Sequence, residues 1–315
     1  MKLDEITIEI TQRCPNKCIY CSSFSGPDMS EGLDYTTIRR VIDDAKSLGA
    51  KSVSLSGGEP FLHQSIVEIV DHIHSLGLKA YVYSSGIYSA GNDCTSIPEC
   101  LFRSIVGKLD GLIINYETTD PILYATIMGT DPGNHKLLSE SIRTAISMGI
   151  PVEAHFVPMR CNFRRIPTVV EELITMGVRK VSILRLVRQG RARNNGAMIN
   201  LSKQDSDELR HLLMDCNKRY KGVIRIGMPF INGRPICNTG TSKLNVRYDG
   251  FVFPCEAFKD GMMEIEGDTP CNVKKVSLKE IYSSSSYLFK VRLGLAKYKE
   301  SDTSEPCYGQ FFRNE

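Results

Sequence analysis

The chain lacks any stretch of about 18 uninterrupted apolar residues, so no membrane-spanning helix is expected from it. It also lacks a strong charge of either sign. The formal net charge of +3 is too small to argue for nucleic acid or a membrane surface as partner. The opening MKLDEITIEI is short, acidic and strand-like, unlike a signal peptide, and a cytoplasmic location is expected. Histidine is scarce: there are 6, and none lies near the first cysteines. Cysteine is plentiful. An odd total of 11 without a secretion signal argues against a disulfide framework and for metal or redox chemistry.

The 315 residues, 42% hydrophobic and 24% charged, suit a soluble chain with one large domain or two smaller ones. Four segments share one pattern: SLGAKSVSLSGG (47–58), SLGLKAYVYSSG (75–86), SMGIPVEAHFVP (147–158) and TMGVRKVSILRL (175–186). In each, a glycine that can end a helix precedes a run suited to a buried parallel strand. Upstream, Ile38, Val41, Ile42, Ala45 and Leu48 share one helical face, as do Ile66, Ile69, Val70 and Ile73. Strands are predicted near 5–10, 51–56, 79–84, 111–116, 150–157 and 178–186, with a short one at 223–227.

Such alternation gives a parallel sheet with helices outside. Six βα units are too few for a closed eight-stranded barrel, so an open partial barrel over 1–227 is predicted, with a doubly wound sheet as the alternative. From 228 to 315 the rhythm changes to a small α+β region. TSKLNVRYDGFVFPC (241–255) reads as a hairpin turning at Asp249-Gly250, and a helix is predicted near 277–292.

The first strand runs into TQRCPNKCIYCSS (11–23), which places Cys14, Cys18 and Cys21 at the C-terminal mouth where such folds bind ligands. Closely spaced thiolates can hold an iron–sulfur cluster or zinc, and a structural zinc knuckle stays open on spacing alone. SLSGGEP (54–60) ends the second strand at the same mouth. Gly57 and Gly58 can expose backbone groups to a ligand, Glu59 supplies a carboxylate, and Pro60 fixes the turn. The run RQGRAR (188–193) reads as a solvated basic face that can touch an acidic ligand.

The cysteine triplet together with GGEP resembles the radical S-adenosylmethionine (SAM) superfamily over about 1–227. That resemblance implies a [4Fe–4S] cluster on Cys14, Cys18 and Cys21, with the fourth iron left for the amino and carboxylate groups of SAM. It implies reductive cleavage of SAM to a 5′-deoxyadenosyl radical that abstracts a substrate hydrogen. Gly57, Gly58, Glu59 and Pro60 match the segment that receives the SAM amino group, and Tyr20 matches an aromatic position near the adenine. Family analogy favours Ser85 and Asn115 for ribose and carboxylate contacts. Glu117, Glu153, His155 and Arg185 are then the candidates for substrate contact.

The tail resembles the auxiliary-cluster domains called SPASM and twitch: Cys237, 12 residues, Gly250, four residues, Cys255. The resemblance implies a second [4Fe–4S] cluster on Cys237, Cys255 and Cys307. Gln310 stands where a further cysteine is usual, and Cys271 is the candidate fourth ligand. Cys94, Cys100, Cys161 and Cys216 are read as structural. Relatives of this kind include peptide maturases that form thioether or carbon–carbon crosslinks or epimerise residues. The leading expectation is an enzyme acting on a peptide or protein, with an electron donor of flavodoxin or ferredoxin type. The alternatives are a dehydrogenase or epimerase of an aminoglycoside-type sugar, and a non-catalytic iron–sulfur or zinc protein. The first strand begins near residue 5, so no fused peptide-recognition domain is expected ahead of it.

Overall fold

The computed structural model describes residues 2–91, 93–227, 237–259, 265, 267–301 and 307–311. Eleven strands are found among them: β1 (Glu5–Thr11), β2 (Ser52–Gly57), β3 (Lys79–Ser84), β4 (Ile87–Ala90), β5 (Asp93–Ser96), β6 (Gly111–Asn115), β7 (Val152–Phe156), β8 (Lys180–Ile183), β9 (Ile224–Ile226), β10 (Lys243–Val246) and β11 (Val252–Phe253). Nine of them form one sheet in the order β11-β10-β1-β2-β3-β6-β7-β8-β9. Every pairing from β10 through β1 to β9 is parallel. Strands β9 and β11 stand at opposite edges, so the sheet is an open, partial (β/α) barrel. The doubly wound alternative is not what forms, because strand order follows chain order from β1 to β9 with no switch point.

The expected strands all form, and the helices lie between them. Helix Tyr35–Ser47 starts at Asp34, whose side chain accepts from the Thr37 amide at 2.8 Å. It buries Ile38, Val41, Ile42 and Ala45, while Ile66, Ile69, Val70 and Ile73 are buried from helix Ile66–Ser75. These side chains cover a strand layer in which Ile6, Ile8, Val53, Leu55, Ala80, Val82, Leu112 and Ile114 are fully buried. Burying one such aliphatic side chain contributes about 1.5–3 kcal/mol.

Two features differ from expectation. Strands β4 and β5 form a separate antiparallel hairpin after β3. The helix predicted near 277–292 is two helices, Leu278–Ser284 and Ser286–Glu300, broken at Ser285. Ser285 has extended backbone and caps the second helix by accepting from the Leu288 amide at 3.3 Å. The hairpin turning at Asp249-Gly250 is β10–β11, and it extends the barrel sheet with Thr7 opposite Asn245. The boundary expected near 228 falls within 228–236, outside the described residues. No helix among the described residues is long and apolar enough to cross a membrane.

Candidate active site

The loop after β1 is held in place by its neighbours. Cys14 N donates to Gly26 O at 3.1 Å, Lys17 N to Met128 O at 3.0 Å, and Ile19 N to Ile127 O at 2.9 Å. Arg191 fastens the other side, with Nε on Cys18 O at 2.8 Å and Nη2 on Ser25 O at 2.7 Å. Its own amide donates to Cys21 O at 3.0 Å. RQGRAR is therefore no plain solvated face, because the Arg191 side chain is spent on loop carbonyls.

Gly57 and Gly58 do something other than face a ligand with free amides. A Cβ on Gly57 would stand 2.2 Å from Thr11 O, and one on Gly58 would stand 2.0 Å from Arg13 O. Gly58 N donates to Thr11 O at 2.6 Å, and Glu59 N donates to Arg13 O at 2.8 Å. Both glycines still line the cavity, but they are required where the end of β2 lies directly against the start of the cysteine loop.

Glu59 lies below that surface, fully buried. Its carboxylate accepts from Ser84 Oγ at 2.8 Å, Ser85 N at 2.7 Å and Ser85 Oγ at 2.6 Å. Burial pushes it up to about 7, against the hydrogen bonds from Ser85 and Ser84. Pro60 opens the short turn that follows. Glu59 thus braces the serines that end β3, and Ser84 and Ser85 themselves line the cavity.

The cavity has a volume of about 250 Å³ and is lined by Cys14, Cys18 and Cys21. Gly57, Gly58, Ser85, Asn115, Tyr20 and Arg185 also face it. Asn115 Nδ2 donates to the Tyr20 hydroxyl at 3.1 Å, which ties the end of β6 to the cysteine loop. Glu117 is fully buried beyond β6 and accepts from Val157 N at 2.9 Å. Burial pushes its carboxyl up to about 8, so it is mainly neutral near pH 7.

The other two substrate candidates are placed elsewhere. Glu153 lies at the opposite mouth, lining a larger cavity of about 900 Å³. There it pairs with Lys180 at 2.8 Å and His155 at 3.4 Å. Burial works against its charge, but hydrogen bonds from His155, Lys180 and Ser182 hold it at about 2. These groups pair with one another, and neither Glu153 nor His155 lines the cysteine cavity.

Two residues of the tail complete the cysteine cavity: Glu256 and Lys259. Lys259 Nζ pairs with Glu9 of β1 and donates to Ser23 Oγ at 2.8 Å. Sequence reasoning missed Glu9, Lys259 and Arg191. One signal was available: Glu5, Thr7 and Glu9 alternate along one face of a strand otherwise rich in isoleucine.

The donor set fits a cluster. All three thiols are free, and burial and the charges of Cys18, Glu59 and Cys21 push Cys14 up, so three thiolates need a cationic group among them. No three His, Cys, Asp or Glu side chains among the described residues close on one point as the ligands of a single ion do. Three thiols rimming one cavity can hold a group with several irons. A second trio assembles in the tail. Burial pushes up both Cys237 and Cys255, and the charge of Cys307 adds to each. The Cys271 Sγ lies 3.6 Å from Ser285 Oγ.

The signature of the radical SAM superfamily matches residues 8–183, and the chain belongs to that family. Its cofactors are accordingly a [4Fe–4S] cluster and S-adenosylmethionine. It is 28% identical to the PqqA peptide cyclase of Methylobacterium nodulans over 306 residues, 95% of this chain and 76% of the relative. The PqqA peptide cyclase of Ruegeria pomeroyi is 27% identical over 256 residues, 79% of this chain and 66% of the relative. Among solved structures, Streptococcus suis SuiB bound to S-adenosylmethionine superposes with a TM-score of 0.74 at 15% identity, covering 93% of this chain and 68% of that one. SuiB bound to its precursor peptide SuiA gives 0.74 over 92% and 67%, again at 15% identity.

Proposed function

We propose that this chain is a radical SAM enzyme that modifies a peptide, by a crosslink, a thioether or an epimerisation. When bound, the cluster and SAM supply one-electron reductive cleavage and a radical able to take a hydrogen from carbon. Cys14, Cys18 and Cys21 would hold the cluster. Ser84, Ser85, Asn115 and the backbone at Gly57 and Gly58 offer the polar lining for SAM, with Tyr20 held at its edge by Asn115. Arg191 keeps the cysteine loop from opening, and Lys259 with Glu256 forms the wall nearest the tail.

One observation carries the reading: Glu256, directly after Cys255, lines the cavity that also holds the first cysteine trio. A second cluster on Cys237, Cys255 and Cys307 would therefore adjoin the space where substrate meets the radical. The relatives named peptide cyclases, matched over nearly the whole chain, support a peptide over a sugar. The electron would come from a flavodoxin or ferredoxin type of donor. Anaerobic reconstitution should give about eight irons per chain. A short peptide encoded beside the gene should then return from mass spectrometry with hydrogen lost or exchanged. About four irons would remove the second cluster. Unmodified peptides together with a modified sugar would replace the peptide reading.

A further inference from the structure

Asn16 sits between Cys14 and Cys18, 1% exposed, and lines the cavity. Neither its Nδ2 nor its Oδ1 completes a hydrogen bond. The helix Pro121–Met128 packs on this loop through Met128 O and Ile127 O, and it brings to Asn16 the hydroxyl of Tyr124, a fully buried side chain that also has no completed hydrogen bond. Burial pushes that phenol up, the charges of Cys18 and Cys14 add to the rise, and the Asn16 amide opposes it. Asn16 and Tyr124 thus face each other beside two cysteines of the trio, and no other group completes a hydrogen bond to either side chain. Buried polar groups are seldom left this way unless a ligand supplies the missing partner. The Asn16 backbone amide already faces the Cys14 sulfur, so this turn of the loop directs its donors at the metal side.

We propose that the Asn16 side-chain amide, backed by the Tyr124 hydroxyl, donates a hydrogen bond to a sulfur of the cluster held by Cys14, Cys18 and Cys21, and raises its reduction potential. The inference rests on the cluster reading above. Hydrogen bonds to cluster sulfurs stabilise the more negative, reduced state, so losing one lowers the potential. The Asn16 Nδ2 carries two N–H donors, so one can face the Tyr124 oxygen while the other turns toward sulfur.

The test is an EPR-monitored redox titration of the anaerobically reconstituted full chain without SAM. Subtracting the spectrum of the Cys14/Cys18/Cys21→Ala variant isolates the trio's own signal. Asn16→Leu should titrate at a more negative potential than wild type with the same iron content, and Tyr124→Phe should shift the same way by less. Wild-type potentials in both variants would overturn the proposal, as they would if the amide contacted only SAM. Should Asn16→Leu fail to hold iron, Tyr124→Phe decides alone, and a wild-type potential there overturns it. A wild-type chain with no trio-dependent signal would instead remove the cluster reading, and this proposal with it.

Discussion

Lys259 and Glu9, 250 positions apart, form a buried ion pair that joins the tail to the first barrel strand at the wall of the cavity. Ser23, two residues past the last cysteine of the trio, completes the contact by donating to Glu9 at 3.0 Å. Burial opposes the charge on Lys259, and the Glu9 carboxylate restores it. Removing one partner of a buried pair strands the other charge, which costs about 3–5 kcal/mol. Lys259→Ala should lower stability by that order in chemical denaturation. The double variant with Glu9→Gln should recover much of the loss, and a single variant as stable as wild type would contradict the pairing.

Gly58 tests how the two motifs are joined. A methyl group there has no room, with Arg13 O at 2.0 Å, so Gly58→Ala must push the cysteine loop away from β2. The expected outcome is a chain that keeps its far-ultraviolet circular dichroism but loses iron at the first trio. Full iron content in that variant would show that the close approach is dispensable.

Glu117 should make the metal-free protein less stable as pH rises. Its carboxyl titrates near 8 in the fold against an ordinary 4.5, so between those values the folded chain binds more protons than the unfolded one. Stability then falls as pH rises through that window. Glu117→Gln, which cannot ionise, should flatten this fall. The two proteins should match near pH 5, and the variant should melt higher at pH 8.5. Parallel melting curves across that range would contradict the assignment.

The tail cysteines divide into two kinds. Cys307→Ser should reduce iron from about eight to about four per chain, whereas Cys271→Ser should leave it near eight. The Cys271 sulfur is turned to Ser285, while the charge of Cys307 bears on both Cys237 and Cys255. Loss of four irons in the Cys271 variant would restore it as a ligand.

The barrel was legible because its strands are apolar runs preceded by helix-ending glycines, a purely local signal. Strands β4 and β5 carry SSGIYSAGNDCTS (84–96), polar and short, and gave no such signal. The cysteine trio was legible because its members are close in sequence. The depth of Glu153 was not legible, because alternation along β7 tells which face a side chain takes but not which end of the barrel it reaches. Arg191 and Lys259 could not be assigned from spacing at all, since their partners Cys18 and Glu9 lie 173 and 250 residues away.

The most direct test is SAM cleavage itself. The reconstituted chain, given SAM and dithionite without oxygen, should release 5′-deoxyadenosine, and the Cys14/Cys18/Cys21→Ala variant should release none while keeping its fold. Cleavage by that variant at the wild-type rate would contradict the account, and so would a wild-type chain that binds stoichiometric zinc and leaves SAM intact.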